Sequence, residues 1–254
     1  MTIRFWTKDR EGLRRLNRIL LCGLLAEVFL TNYIFLKMKS APRGLDELDV
    51  WSGTVIFYAR GYGLFGLWTA QPHDFVNFPP LLPWLAWVST GLFGRTYMPM
   101  ALCVTFLQIV LLLIVFSIGR RLAGQWAGLL AAAVLATSPV IMSFSRIFIT
   151  NIPAVVTIGL VIWVMIWGVR LTRPGSGFLL GLALGVAFLS ERGTPPLMLS
   201  LPLAYWIALS IWSVRKRKQE LKKVLIRIGV AALVSVAFSG LYLYSYFTRS
   251  TDHI

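Results

Sequence analysis

Runs of about twenty apolar residues recur along this chain, and a bilayer's hydrocarbon core is about 30 Å thick, the length such a run covers as a helix. Only helices or closed barrels satisfy every backbone group in lipid, and runs of this length and continuity belong to helices. The chain is therefore predicted to be an all-α membrane protein. About seven transmembrane helices are expected, near residues 17–37, 97–118, 124–142, 150–170, 177–190, 195–213 and 227–247. With 57% hydrophobic and 14% charged residues and a mean hydropathy of +0.73, the chain lies far from a soluble domain's balance. The first run is too long for a secretory signal's apolar region and no small-residue cleavage site follows it, so it is expected to be a retained anchor.

The net charge of +15 first suggests nucleic acid, but its placement does not. With a cytoplasmic N-terminus, the cytoplasmic side collects Arg4, Lys8, Arg10, Arg14, Arg15 and Arg18, then Arg120 and Arg121, Arg170 and Arg173, and the run from Arg215 to Arg227. Opposing acids there are limited to Asp9, Glu11 and Glu220. This is the positive-inside pattern of a multi-pass cell-membrane protein, with basic groups contacting anionic lipid and no nucleic-acid partner. Cys22 and Cys103 fall inside expected spans and read as small apolar core residues, with no disulfide framework.

Pro80 to Gly94 is apolar but short. Counting it as a crossing would carry Arg120-Arg121 and the Arg215–Arg227 segment to the outside, so it is expected to be interfacial or re-entrant. Before it lies the main polar excursion, from about Lys37 to Pro80. There Leu48, Trp51, Val55 and Tyr58 recur at helical spacing, which predicts a surface helix on the outer leaflet, capped at Asp46 and ending at Gly61. Glu47 and Asp49 in its first turn oppose the positive end of the helix dipole. One acid suffices to cap a helix, and this segment has three.

The expected topology gathers polar groups from separate loops on one side: Asp46, Glu47, Asp49 and Asp74, then Ser145-Arg146 to Asn151, then Glu191-Arg192. Carboxylates and arginines at span ends suit a cavity between helices. Arg146 and Arg192 are alternatively snorkelling cations. Glu27, inside the first span, is expected to face the bundle interior, with Asn32 and Tyr33 completing that face. His73-Asp74 with Asp46 and Asp49 contains ligand types for a divalent cation, but the spacing requires none, and no metal or cofactor is expected.

At this point the chain resembles a family. Asp46-Glu47, Gly61, Pro79-Pro80-Leu81, Leu92-Phe93-Gly94, the segment Ile118 to Gly124, Ala136-Thr137-Ser138-Pro139, Ser145-Arg146 and Phe188 to Gly193 follow one another as in the protein O-mannosyltransferase superfamily. That superfamily, of the GT-C fold, includes the lipid A aminoarabinose transferases. The resemblance covers about residues 10–215, and residues 1–254 are read as one membrane domain without a C-terminal soluble domain.

The resemblance implies a glycosyltransferase that moves a sugar from a polyprenyl phosphate to a lipid, glycan or protein acceptor on the extracytoplasmic face. It implies Asp46 as base with Glu47 as second carboxylate, and Arg146, Arg192 and Arg60 as ligands of the donor phosphate. Asp49, Asp74, Asn151 and Glu191 are further site candidates. Asn151 departs from the family, which often has an acid there, and family members are usually longer. An inactive or partner-dependent relative, acting as a scaffold or needing another chain for the missing C-terminal part, is the alternative. A transporter is a weaker one, since there is no internal repeat and only Glu27 lies at midspan.

Overall fold

The computed structural model describes residues 3–38, 45–61, 79–168, 171–191 and 193–249. Among these, all regular structure is helical: α1 (Ile3–Met38), α2 (Leu45–Ala59), α3 (Leu81–Phe93), α4 (Tyr97–Ala123), α5 (Gln125–Ala136), α6 (Pro139–Phe144), α7 (Asn151–Trp167), α8 (Ser176–Ser190), α9 (Thr194–Val214) and α10 (Lys218–Arg249). Three segments, Arg14–Met38, Tyr97–Ala123 and Thr194–Val214, are long and apolar enough to cross a bilayer. The expected span at 124–142 is broken between Ala136 and Pro139. Proline has no N–H to continue α5 and instead starts α6 at a position where none is needed. The helices at the expected spans 150–170 and 177–190 have 17 and 15 residues, at or below the shortest length that crosses untilted.

Two apolar cores meet along α7. The first joins Leu36 of α1, Val50 of α2, Leu82 and Ala86 of α3, much of α4, Phe148, and Ile152 and Val156 of α7. The second joins Val161, Val164 and Met165 of α7 to Leu180, Ala183 and Ala187 of α8, Leu199 and Val214 of α9, and Val224 and Ala231 of α10.

The second core is closed by a ridge of glycines. Gly177, Gly181 and Gly185 recur every four residues on one face of α8, and a Cβ at any of them would come closer than 3.0 Å to Arg227, Ala231 or Phe238 of α10. Lipid offers no hydrophobic drive for helices to associate, so close backbone approach over small residues supplies the contact. The same device joins α4 to α5. A Cβ on Gly119 would lie 2.8 Å from the Cα of Gly128, and the chain reverses there at Gly124, whose φ of +96° favours glycine.

Side-chain links fix which helix ends lie together. Asn17 Nδ2 of α1 donates to Gln125 Oε1 at the start of α5, 3.3 Å away. This brings Arg120 and Arg121 to the end of the bundle that carries Arg14, Arg15 and Arg18. Arg227 Nη1 donates to the carbonyl of Leu171, tying the basic α9–α10 turn to the α7–α8 turn that carries Arg173. Trp163 Nε1 of α7 donates to Ser117 Oγ of α4 at 2.8 Å, which brings these two basic groups to the same end of the bundle. At the opposite end lie the last turns of α1, the 145–150 turn, the start of α7 and the end of α8. Helix α3 has both termini in the second, less basic half: Leu81 packs with Leu189 and Ser89 Oγ donates to the Pro99 carbonyl at 2.6 Å.

Candidate functional site

Helix α2 begins at Leu45, one residue before the expected cap, so Asp46 and Glu47 fall in its first turn and Asp49 just after. The helix closes as expected, at Gly61 with φ +63°. Its buried face is Val50, Gly53 and Thr54, while Leu48, Trp51 and Val55 of the apolar stripe are exposed. These three side chains of the stripe therefore point away from the protein. The side chains of Asp46, Glu47, Asp49 and Tyr58 lie outside the described residues, as do His73, Asp74 and Arg192 altogether.

The best-defined polar cluster surrounds Arg146, in the turn after α6. Arg146 Nε donates to Asn32 Oδ1 of α1 at 2.9 Å. Asn32 Nδ2 donates to Gln108 Oε1 of α4 at 2.7 Å and to Ser145 Oγ at 3.2 Å. Asn32, Gln108 and Ser145 are 2%, 1% and 0% exposed, so this is an interior network linking three segments. The guanidinium lies over the Phe35 ring, 5.0 Å from its centroid, and is itself only partly buried. Arginine is a donor only, so the oxygen of Asn32 must face it and the amide nitrogen must face Gln108. No carboxylate forms an ion pair with Arg146 among the described residues. The arrangement is a fixed cation held by neutral groups, which suits an anion approaching its unused Nη edge.

Other candidates stand apart from this cluster. Glu191 ends α8 and accepts a hydrogen bond from Thr194 Oγ1 at 2.7 Å, closing the turn into α9. Asn151 is exposed at the first position of α7, and Arg60 is exposed just past α2. Glu27 does not face the interior as expected. Leu21, Val28, Asn32 and Leu36 form the buried seam of α1, and Glu27 is exposed on its flank. Tyr33 likewise is exposed and stacks on Phe29 at 6.1 Å, so only Asn32 of that pair turns inward. Cys22 is exposed and only Cys103 is a core residue. No cluster of metal-ligating side chains occurs among the described residues.

Gln108 is the functional candidate that the sequence reading missed. The signal was available, since it is a lone amide within the apolar run from Phe106 to Leu113. An apolar cleft of about 210 Å³ also lies between α8 and α9, lined by Leu184, Phe188, Pro195, Leu199 and Leu203. Its lining suits hydrocarbon and offers nothing to a sugar or phosphate.

An all-helical fold built largely of apolar helices agrees with the GT-C glycosyltransferases. Residues 77–244 match the model of the dolichyl-phosphate-mannose-protein mannosyltransferase family, and the chain belongs to that family. The fold is similar to the crystal structure of ArnT from Cupriavidus metallidurans bound to undecaprenyl phosphate, with 18% identity and a TM-score of 0.69. The likeness covers 92% of this chain and 42% of that one, so the chain spans about two fifths of that structure's length. No curated protein matches in sequence. The family match begins after Asp46-Glu47 and runs past residue 215 to 244, so it includes Arg146 and Ser190 but not the acidic start of α2.

Proposed function

We propose that the protein transfers a sugar from a polyprenyl-phosphate-linked donor to an acceptor on the extracytoplasmic face of the membrane. The single observation that carries this reading is the Arg146 cluster: a neutral-braced cation, inside a member of this family, at the end of the bundle where α1 runs towards the acidic start of α2. The undecaprenyl phosphate in the similar ArnT structure supports a polyprenyl phosphate as the lipid. The N-terminus and the basic end are cytoplasmic in this reading. The chain crosses seven times, with α2 and α3 outside or re-entrant and the shorter helices tilted against their neighbours.

In the reaction an acceptor hydroxyl attacks the anomeric carbon, the bond to the donor phosphate breaks, and the phosphate leaves carrying the electron pair. Asp46 takes the hydroxyl proton as general base, with Glu47 as the second carboxylate. Arg146, with Arg192 and Arg60, holds the phosphate and stabilises its departing charge. Asp49, Asp74, Asn151 and Glu191 remain further candidates for the site; an amide at position 151 orients a hydroxyl without taking its proton. A partner chain that supplies segments present in longer relatives is compatible with this scheme.

The test is transfer of radiolabelled sugar from a panel of polyprenyl-phosphate donors in membranes containing the wild type or Asp46→Asn. Transfer by the wild type that falls at least a hundredfold in Asp46→Asn, at equal protein level, is expected. Undiminished transfer by Asp46→Asn would remove that residue as the base. Absence of wild-type transfer across the panel would favour the scaffold reading, for which the neutral Asn151 is the specific observation.

A further inference from the structure

We infer that Asn32 and Gln108 are positioning residues that orient the Arg146 guanidinium towards a lipid phosphate while leaving its positive charge uncancelled. The inference rests on the phosphate role proposed above for Arg146. A carboxylate at position 32 would hold Nε equally well but would form an ion pair and neutralise the site. The Asn32 amide accepts from Nε through its oxygen and carries no charge. Its remaining polar end is satisfied by Gln108 and Ser145, so the amide cannot flip without losing both bonds and facing Arg146 with a donor.

The orientation is further fixed by the Phe35 ring beneath the guanidinium, which leaves the edge opposite Nε for a ligand. Stability alone does not account for the network. Interhelical hydrogen bonds of this kind contribute little net stability within membranes. The structural return is small, whereas pre-orienting a cation at a developing or resident phosphate charge has a large effect on binding and transfer.

The experiment uses the full chain in nanodiscs of neutral phosphatidylcholine, titrated with a fluorescent polyprenyl monophosphate. Unlabelled polyprenyl monophosphate, the uncharged polyprenol and phosphatidylglycerol serve as competitors. Asn32→Leu and Gln108→Leu are expected to weaken monophosphate binding about tenfold, the usual effect of losing a hydrogen bond to a charged group. Asn32→Asp, which supplies a counter-charge, is expected to weaken it further. Neither Leu variant should alter competition by polyprenol, and Asn32→Leu combined with Arg146→Ala should bind no more weakly than Arg146→Ala alone.

The inference is overturned if Asn32→Leu and Gln108→Leu bind like the wild type while Arg146→Ala does not, or if the effects of positions 32 and 146 add. Because the two Leu variants break the network from different helices, misfolding of one, seen in its thermal midpoint, leaves the other as the test. Competition by phosphatidylglycerol equal to that by polyprenyl monophosphate, with the same variant pattern, upholds the positioning role and removes the donor from the site. A wild type that binds no anionic lipid overturns both readings. Sugar transfer that is intact in both Leu variants, with unchanged KM, overturns the positioning role alone.

Discussion

The two cores that meet at α7 handle the membrane environment in opposite ways. In the second, α8 and α10 approach until their backbones nearly touch, through Gly177, Gly181 and Gly185. In the first, α1 and α4 also meet through polar side chains, with Asn32 and Gln108 buried and Arg146 partly buried beside them. The glycine ridge maximises contact and tolerates no added atom. The polar junction gives up apolar contact for a set of fixed directions. The first is how a membrane helix pair is held together, and the second is how a charged group is kept available inside one. Both cores bury hydroxyls, as at Thr157 and Ser190, so what distinguishes the first is an arginine fixed by uncharged side chains.

The largest expected effect lies in the scaffold half. Gly181→Leu should cost about 3 kcal/mol or more, since its side chain meets the backbone at Ala231 and the branched Val234, with no flexible group able to yield. Loss of the folded fraction on size-exclusion chromatography in detergent is the readout. Gly159→Ala is the matched control on α7, because its Cβ would meet Ile114 and Leu111 side-chain carbons at 3.4 and 3.6 Å. That is ordinary contact, and the thermal midpoint should hold. Equal damage at both positions would erase the contrast between the glycine ridge of α8 and the ordinary packing at Gly159.

Next in size, Arg146→Ala should lower sugar transfer by about a hundredfold or more while the thermal midpoint moves little. A collapse of folding together with activity would place Arg146 in the scaffold instead. A smaller effect is expected from the hydroxyl pair Thr157–Ser190, 2.9 Å apart between α7 and α8. Thr157→Val should destabilise by about 0.6 kcal/mol, seen as a slight fall in thermal midpoint. The smallest concerns Glu220, partly exposed in the first turn of α10. Its carboxyl is held below the ordinary range, chiefly by the hydrogen bond from Lys223. That contact is intact at neutral pH and is lost only as the pH falls through the lowered pKa. An exposed pair of this kind contributes little, and Glu220→Gln should leave the midpoint unchanged between pH 5 and 8.

Much of this contrast was legible in the residues, unevenly. The acid-led helix α2 and its end at Gly61 followed from spacing and dipole logic, and the gathering of basic residues at one end followed from the distribution of charge between apolar runs. The boundaries failed where proline chemistry was underweighted, as at Pro139, which splits an apolar run that hydropathy alone joins. Glu27 illustrates a different failure. Its cost in lipid argued for an interior position, but helical phase decides which residues face inward, and Val28, Asn32 and Leu36 occupy that seam. The Arg146 partners are separated by 114 and 76 residues in the two key bonds, so only the fold brings them together. The glycine ridge was readable as a four-residue repeat, but its partner helix was not.

Which half works is most directly decided by where the lipid sits. The full chain would be photolysed in nanodiscs with a polyprenyl monophosphate carrying a photoreactive group next to its phosphate, and the adducts mapped by mass spectrometry. Adducts around Phe35 and the Ser145-Arg146 turn, lost in Arg146→Ala and competed by unlabelled monophosphate, are the predicted result. Adducts confined to α8, α9 and α10, unchanged in Arg146→Ala, would contradict the assignment of the polar core as the donor site.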